Sequence, residues 1–168
     1  STNVSAVRYP SGSRQKILDE VFYKNGDYES IRVREDCDGE CDVVFISHGR
    51  VTVECLKAKE KLSKLGVLSK VLLCDYIRPY KKLSAEVEEQ LKKTNPRAII
   101  FVEEEIKAGG FSMMLSEHLR ERDALEGIKY HICAPDNTFV IQTKNEHIFK
   151  SAGVDADTLC EKAQILLK

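Results

Sequence analysis

From Asp42 to Ser47 the chain reads Asp-Val-Val-Phe-Ile-Ser, a continuous β-branched and aromatic run. A half-exposed strand would alternate apolar and polar residues, so this run predicts a strand covered on both faces. After His48-Gly49 the period changes. Val51, Cys55, Ala58, Leu62 and Leu65 are spaced at 4, 7, 11 and 14 residues from the first, which places them on one face of a helix with Lys and Glu opposite. Gly66 then supplies the left-handed residue that ends such a helix. The cycle repeats: Val67 to Cys74 reads as a strand, Arg78-Pro79 as a loop, and Ala85 to Lys93 as a helix capped by Ser84 and closed by Asn95-Pro96. Ala98 to Val102 is the next buried strand. Gly109-Gly110 opens a helix carrying Phe111, Met114, Leu115, His118 and Leu119 on one face, Ile128 to Cys133 is a further strand, and a last helix begins near Asp155 with Leu159, Ala163 and Leu166 inward. Before all these, Tyr28 to Val33 alternates and predicts a half-exposed strand, followed by a polar turn over 36–42.

Strands alternating with crossover helices imply a three-layer α/β/α sandwich around a mainly parallel sheet of about five strands. Composition agrees with a single domain. The 168 residues are 42% hydrophobic and 32% charged, with only four Pro and nine Gly, which fits neither a disordered nor a linker-rich chain. The first dozen residues, through Arg8-Tyr9-Pro10-Ser11-Gly12, read as an extended arm ending in a turn. We therefore expect residues 1–27 to be an arm and junction with an upstream domain, and 28–168 to be the domain proper. The opening residue is Ser, not Met, which is in keeping with a chain cut from a longer product.

Charge narrows the partners. Twenty-six Lys and Arg against 27 Asp and Glu leave a net charge of −1, without the basic surplus that phosphate-backbone binding uses, so nucleic acid is not an expected partner. Apolar runs are far short of the roughly 18 residues needed to span a membrane, and no signal segment opens the chain, so no membrane partner is expected and the location is expected to be cytoplasmic. Of six cysteines, Cys55, Cys74, Cys133 and Cys160 sit in apolar or helical contexts and read as small core residues. Cys37 and Cys41 lie in a polar Cys-Asp-Gly-Glu-Cys turn, but no second pair completes a zinc set, and we assign no metal ligands.

In a wound sheet, ligands meet the loops that follow the strands. Those loops hold His48-Gly49-Arg50, Asp75 to Pro79, Glu103 to Gly110, and Ala134-Pro135-Asp136. His48 could act as acid, base or ligand, but no nucleophile neighbours it, and an interface or loop role is expected. Glu103, Glu104 and Glu105 could hold a cation or a proton; pairing with basic residues at an interface is the expectation. The Gly109-Gly110 pair is half a phosphate cradle, and nearby carboxylates oppose phosphate, so close backbone packing explains it better. No catalytic residue is assigned. Arg8, His48, Arg50 and Arg78 stand as substrate-phosphate or interface candidates, and Glu103, Glu104, Gly109, Gly110 and Asp136 as interface or loop candidates.

A resemblance carries the reading further. Val102-Glu103-Glu104-Glu105-Ile106-Lys107-Ala108-Gly109-Gly110-Phe111, together with the strand and helix from Val43 to Leu65 and the Ala134-Pro135-Asp136 turn, resembles the C-terminal domain of transketolase-like, thiamine-diphosphate-dependent enzymes. Val7-Arg8-Tyr9-Pro10-Ser11-Gly12 and the closing Ala152-Gly153-Val154-Asp155-Ala156-Asp157 are similar to one branch, the 1-deoxy-D-xylulose-5-phosphate synthases. The resemblance implies a parent that uses thiamine diphosphate and Mg2+ to join a two-carbon unit from pyruvate to glyceraldehyde 3-phosphate with loss of CO2. It also implies a homodimer in which upstream domains hold the cofactor and this domain supports the interface. No cofactor is expected in this chain, which lacks the family's Gly-Asp-Gly signature, and alone it should be inactive. Ser11 replaces the family's second junction arginine, Arg8 matches the first, and Leu73 and Asp75 stand where Asp-x-Arg is common, whereas Arg78-Pro79 is similar to the family's Lys-Pro. A transketolase of sugar-phosphate metabolism, a docking domain like that of a 2-oxo acid dehydrogenase β subunit, and an independent binding protein are the competing implications.

Overall fold

The computed structural model describes residues 15–23, 33–138 and 144–168. Strands β1 (Val33–Glu35), β2 (Val43–Ser47), β3 (Ser69–Cys74), β4 (Ala98–Val102) and β5 (Lys129–Cys133) form one sheet in the order β1-β3-β2-β4-β5. β1 is antiparallel to β3 and every other pairing is parallel. The predicted three-layer class is therefore the observed one, with an antiparallel strand on one edge. The strand expected over 28–33 enters the described residues only at Val33 and continues to Glu35, while residues 28–32 and the arm with Arg8 lie outside them.

Alternation along the strands divides the core. Val43, Phe45, Val71, Leu73, Ala98, Ile100 and Val102 face α2 (Thr52–Lys64) and α6 (Ala156–Leu167). Val44, Ile46, Leu72, Ile99 and Phe101 face α3 (Tyr80–Thr94) and α4 (Phe111–Arg120). All five residues of both β2 and β4 are buried, as a strand with helices on each side requires. Lys70 of β3 is buried as well, and its Nζ meets Glu35 Oε2 at 2.7 Å on the edge strand.

Helix ends follow local chemistry. α2 closes with Gly66 in the left-handed region (φ +75°), Val67 N–H donating to the Leu62 carbonyl and Gly66 N–H to that of Ser63, the paired bonds of a glycine-terminated helix. α6 starts where expected: Asp155 accepts from the backbone of Asp157 and Thr158 at 3.1 and 3.3 Å. The start of α3 corrects the sequence reading. Ser84 is not its cap; the helix begins at Tyr80, just after Pro79, and Ser84 is buried one turn in, with Oγ donating to the Lys81 carbonyl at 3.3 Å. Pro79, held in extended backbone, ends the loop five residues sooner than the serine signal suggested.

Two helices are additional: α1 (Lys16–Phe22) and α5 (Asn145–Ser151). α1 packs Leu18, Val21 and Phe22 against the α2 side of the core. Its end is fastened to the sheet by polar bonds: Tyr23 Oη donates to Asp75 Oδ1, Arg34 Nε donates to Asp75 Oδ2 at 2.5 Å, and the Arg34 guanidinium lies 4.4 Å from the Tyr23 ring centroid. Burial, and then the Asp75 hydrogen bond, push the Tyr23 phenol far above its ordinary value of 10. A raised folded-state value means that the contribution of Tyr23 to stability is intact below about pH 10 and declines as pH climbs past it, because the unfolded chain ionises first. Denaturant midpoints of wild type and Tyr23→Phe should thus differ below pH 10 and converge above it; a constant difference from pH 8 to 11 would refute this placement of the phenol.

Candidate functional site

The sheet order places β3 and β4 on opposite sides of β2, so the chain leaves β2 toward one face and β4 toward the other. The crevice at such a reversal is where wound sheets bind ligands. Here it is bordered by the β2 loop with His48, the β3 loop with Arg78, the β4 loop with Glu104 and Glu105, and the β5 loop with Asp136, around a cleft of about 1220 Å3. His48, Arg78, Glu104, Gly109, Gly110 and Asp136, all singled out in the sequence, therefore meet in one place.

Register explains the innermost part. Ser47 of β2 is level with Val102 of β4, so the next residues, His48 and Glu103, leave the sheet side by side. Both continue the alternation of Ile46 and Phe101 and point toward α4. His48 is buried, its ring set edge-on to Phe111 with centroids 4.6 Å apart. Its Nε2 lies 3.0 Å from Glu105 Oε2 without making a hydrogen bond. Glu103 has no exposure at all. Its Oε1 accepts from the Ser112 backbone N–H at 3.1 Å, in the first turn of α4, where the helix dipole favours a carboxylate. Burial pushes the Glu103 pKa above the ordinary carboxylate value, while the Ser112 and Phe111 groups draw it down and the charge of Glu105 adds to the rise.

The glycine pair now has a physical reason. A Cβ on Gly110 would stand 2.5 Å from the Ile106 carbonyl and 2.7 Å from both Glu103 oxygens, so only glycine lets the loop close over the carboxylate. Gly109 is there for conformation, at φ +71° with open space around it.

The glutamates do not all face outward, as pairing across an interface would require. Glu104 takes its basic partner within the chain, Arg50 Nε at 2.8 Å, and Arg50 also lies over the Phe149 ring, 5.7 Å from its centroid. Arg78 reaches over the Tyr80 ring at 5.7 Å on the rim of the cleft. Asp75 is spent on Arg34 and Tyr23, a fastening that the sequence reading did not foresee. The six cysteines are free thiols: four are buried, Cys41 is partly so with its thiol pushed up to about 11 by burial, and Cys37 is exposed.

The order of strands, the crevice at their carboxyl ends and the glutamate–glycine loop define a wound α/β domain. Residues 32–159 match the family described as "Transketolase, C-terminal domain", and the chain belongs to that family. It is 27% identical to the 1-deoxy-D-xylulose-5-phosphate synthase of Lachnoclostridium phytofermentans over 94% of this chain and 24% of that protein. The corresponding synthase of Desulfotalea psychrophila is also 27% identical, over 98% of this chain and 25% of the relative. The chain thus spans about a quarter of the length of the curated relatives it matches. Among solved structures, a "Split gene transketolase, inactive beta4 tetramer" superposes with a TM-score of 0.62 at 20% identity, over 77% of this chain and 40% of that one. The transketolase of Campylobacter jejuni gives 0.57 at 18% identity, over 82% and 18%. These two likenesses concern the fold. No helix among the described residues is long and apolar enough to cross a membrane.

Proposed function

We propose that this chain is the C-terminal part of a thiamine-diphosphate-dependent transferase of the 1-deoxy-D-xylulose-5-phosphate synthase kind, in which it supports the dimer and completes the border of the active site. The observation that carries this reading is collinearity: the relatives align along 94% and 98% of this chain. In the proposed arrangement residues 1–27 join the domain to upstream cofactor-binding domains, and the cleft at the sheet's carboxyl end faces them.

Thiamine diphosphate itself does not fit the described residues. The cleft presents Glu104 and Glu105 above the buried Glu103, and a diphosphate brought there would meet like charge. The cofactor and its Mg2+ therefore fall to other domains. What these residues offer is position. The Arg50–Glu104 pair holds the β2 and β4 loops together, and Arg78 supplies a cation at the rim for an anionic substrate group.

The substrate is decided by assay of the full-length gene product with thiamine diphosphate and Mg2+. CO2 release that requires both pyruvate and glyceraldehyde 3-phosphate supports the synthase reading. Silence with pyruvate but turnover of a ketose-phosphate donor would replace it with transketolase chemistry.

A further inference from the structure

The innermost end of the cleft has an unmet chemical need. Glu103 is fully buried, and while its Oε1 is used by the Ser112 N–H, its Oε2 has no hydrogen-bond partner. His48, 7% exposed, likewise has Nε2 buried without a hydrogen bond, and that nitrogen lies 3.0 Å from the carboxylate of Glu105. Leaving a buried carboxylate oxygen unpaired is costly, so a structure that builds such an arrangement calls for a positive occupant.

We propose that His48, Glu103 and Glu105 bind a single divalent transition-metal ion, Mn2+ or Zn2+ in class. One ligand atom from each of the three lies within 4.8 Å of the others. Ligands of one tetrahedral ion at about 2.1 Å stand about 3.4 Å apart, so rotation of the carboxylates is needed to close the group on a cation. Two carboxylates and a neutral imidazole balance a charge of +2, and the nitrogen ligand selects a transition metal over Mg2+ or Ca2+, which prefer oxygen alone. The surroundings orient the ligands as metal sites require. The Ser112 N–H fixes one oxygen of Glu103 and leaves the other for the ion, and Phe111 holds the imidazole ring edge-on. The β2 and β4 loops come from opposite sides of the reversal in the sheet, so an ion here would lock the floor of the cleft. This site stands apart from the thiamine diphosphate reading and does not depend on it.

The test uses the chain stripped with EDTA and titrated with MnCl2, followed by electron paramagnetic resonance of free Mn2+ and by calorimetry, then repeated with ZnCl2. One equivalent should bind, with a rise in melting temperature. Glu105→Gln, at a side chain that is 21% exposed and makes no contact with Ser112, should fold normally and weaken binding at least tenfold. His48→Gln should do the same, with circular dichroism checking the fold of each. Failure of both metals to bind at 1 mM would overturn the proposal. Binding that persists unchanged in both variants would also overturn it, and would move the metal to Cys37 and Cys41 or to surface carboxylates.

Discussion

Gly110→Ala should destabilise the domain by about 3 kcal/mol or more, because the added methyl enters filled space. Its position, 2.5 Å from the Ile106 carbonyl and 2.7 Å from both oxygens of Glu103, leaves no single side chain to swing aside. The backbone carbonyl belongs to the same tight loop, and the carboxylate is held by α4. Relief requires moving the loop or pulling Glu103 from its place against the helix, and either loses buried packing. Gly109→Ala is the matched control. Nothing lies near its Cβ, so its cost is that of a left-handed alanine, about 1 kcal/mol. Urea denaturation of the two variants separates the causes. Equal losses would mean that the loop yields freely and that contact with Glu103 is not what selects glycine.

Asp75→Ala should cost about 3 kcal/mol, because it removes one partner of a buried ion pair. Arg34 is 6% exposed, and its Nε donates to Asp75 at 2.5 Å, while the same carboxylate accepts from Tyr23. Removal takes the counter-charge from a guanidinium on the edge strand and one of the bonds that fasten α1. Both should loosen together, so hydrogen exchange should quicken in α1 and β1 before it does in β2 or β4. Replacing Arg34 by Met in the same background should recover much of the loss, since the buried pair is then removed as a whole. A single Asp75→Ala loss below about 1 kcal/mol would show that water reaches Arg34 readily.

The contrast between these two sites shows what a sequence carries. The central strands are plain because burial on both faces leaves only apolar residues in β2 and β4, and α2 is plain because four turns repeat one spacing. α1 is short, with Ile17, Leu18, Val21 and Phe22 in a helical spacing that was legible in principle, but the nearby Pro10 and Gly12 pointed to an extended arm. α5 offers only Ile148 and Phe149 in seven residues, too few for a periodic signal. At the cleft, the residue types were visible and their directions were not. Extending the alternation of β4 one step past Val102 sends Glu103 inward, yet three consecutive glutamates read as partners for basic residues at an interface. Its neighbour His48 depends on the cross-strand register of β2 with β4, which no local pattern encodes. Asp75 is harder still, since its partners come from α1 and β1, 52 and 41 residues away.

The claim that this domain completes a larger active site is tested most directly by an omission experiment on the full-length gene product. The segment upstream of this chain, this chain, and the two mixed would each be assayed beside the intact protein for CO2 release from pyruvate and glyceraldehyde 3-phosphate, with thiamine diphosphate and Mg2+ present. The account predicts turnover by the intact protein, none by either part alone, and recovery of activity on mixing as the parts associate. Full turnover by the upstream segment without this chain would contradict it.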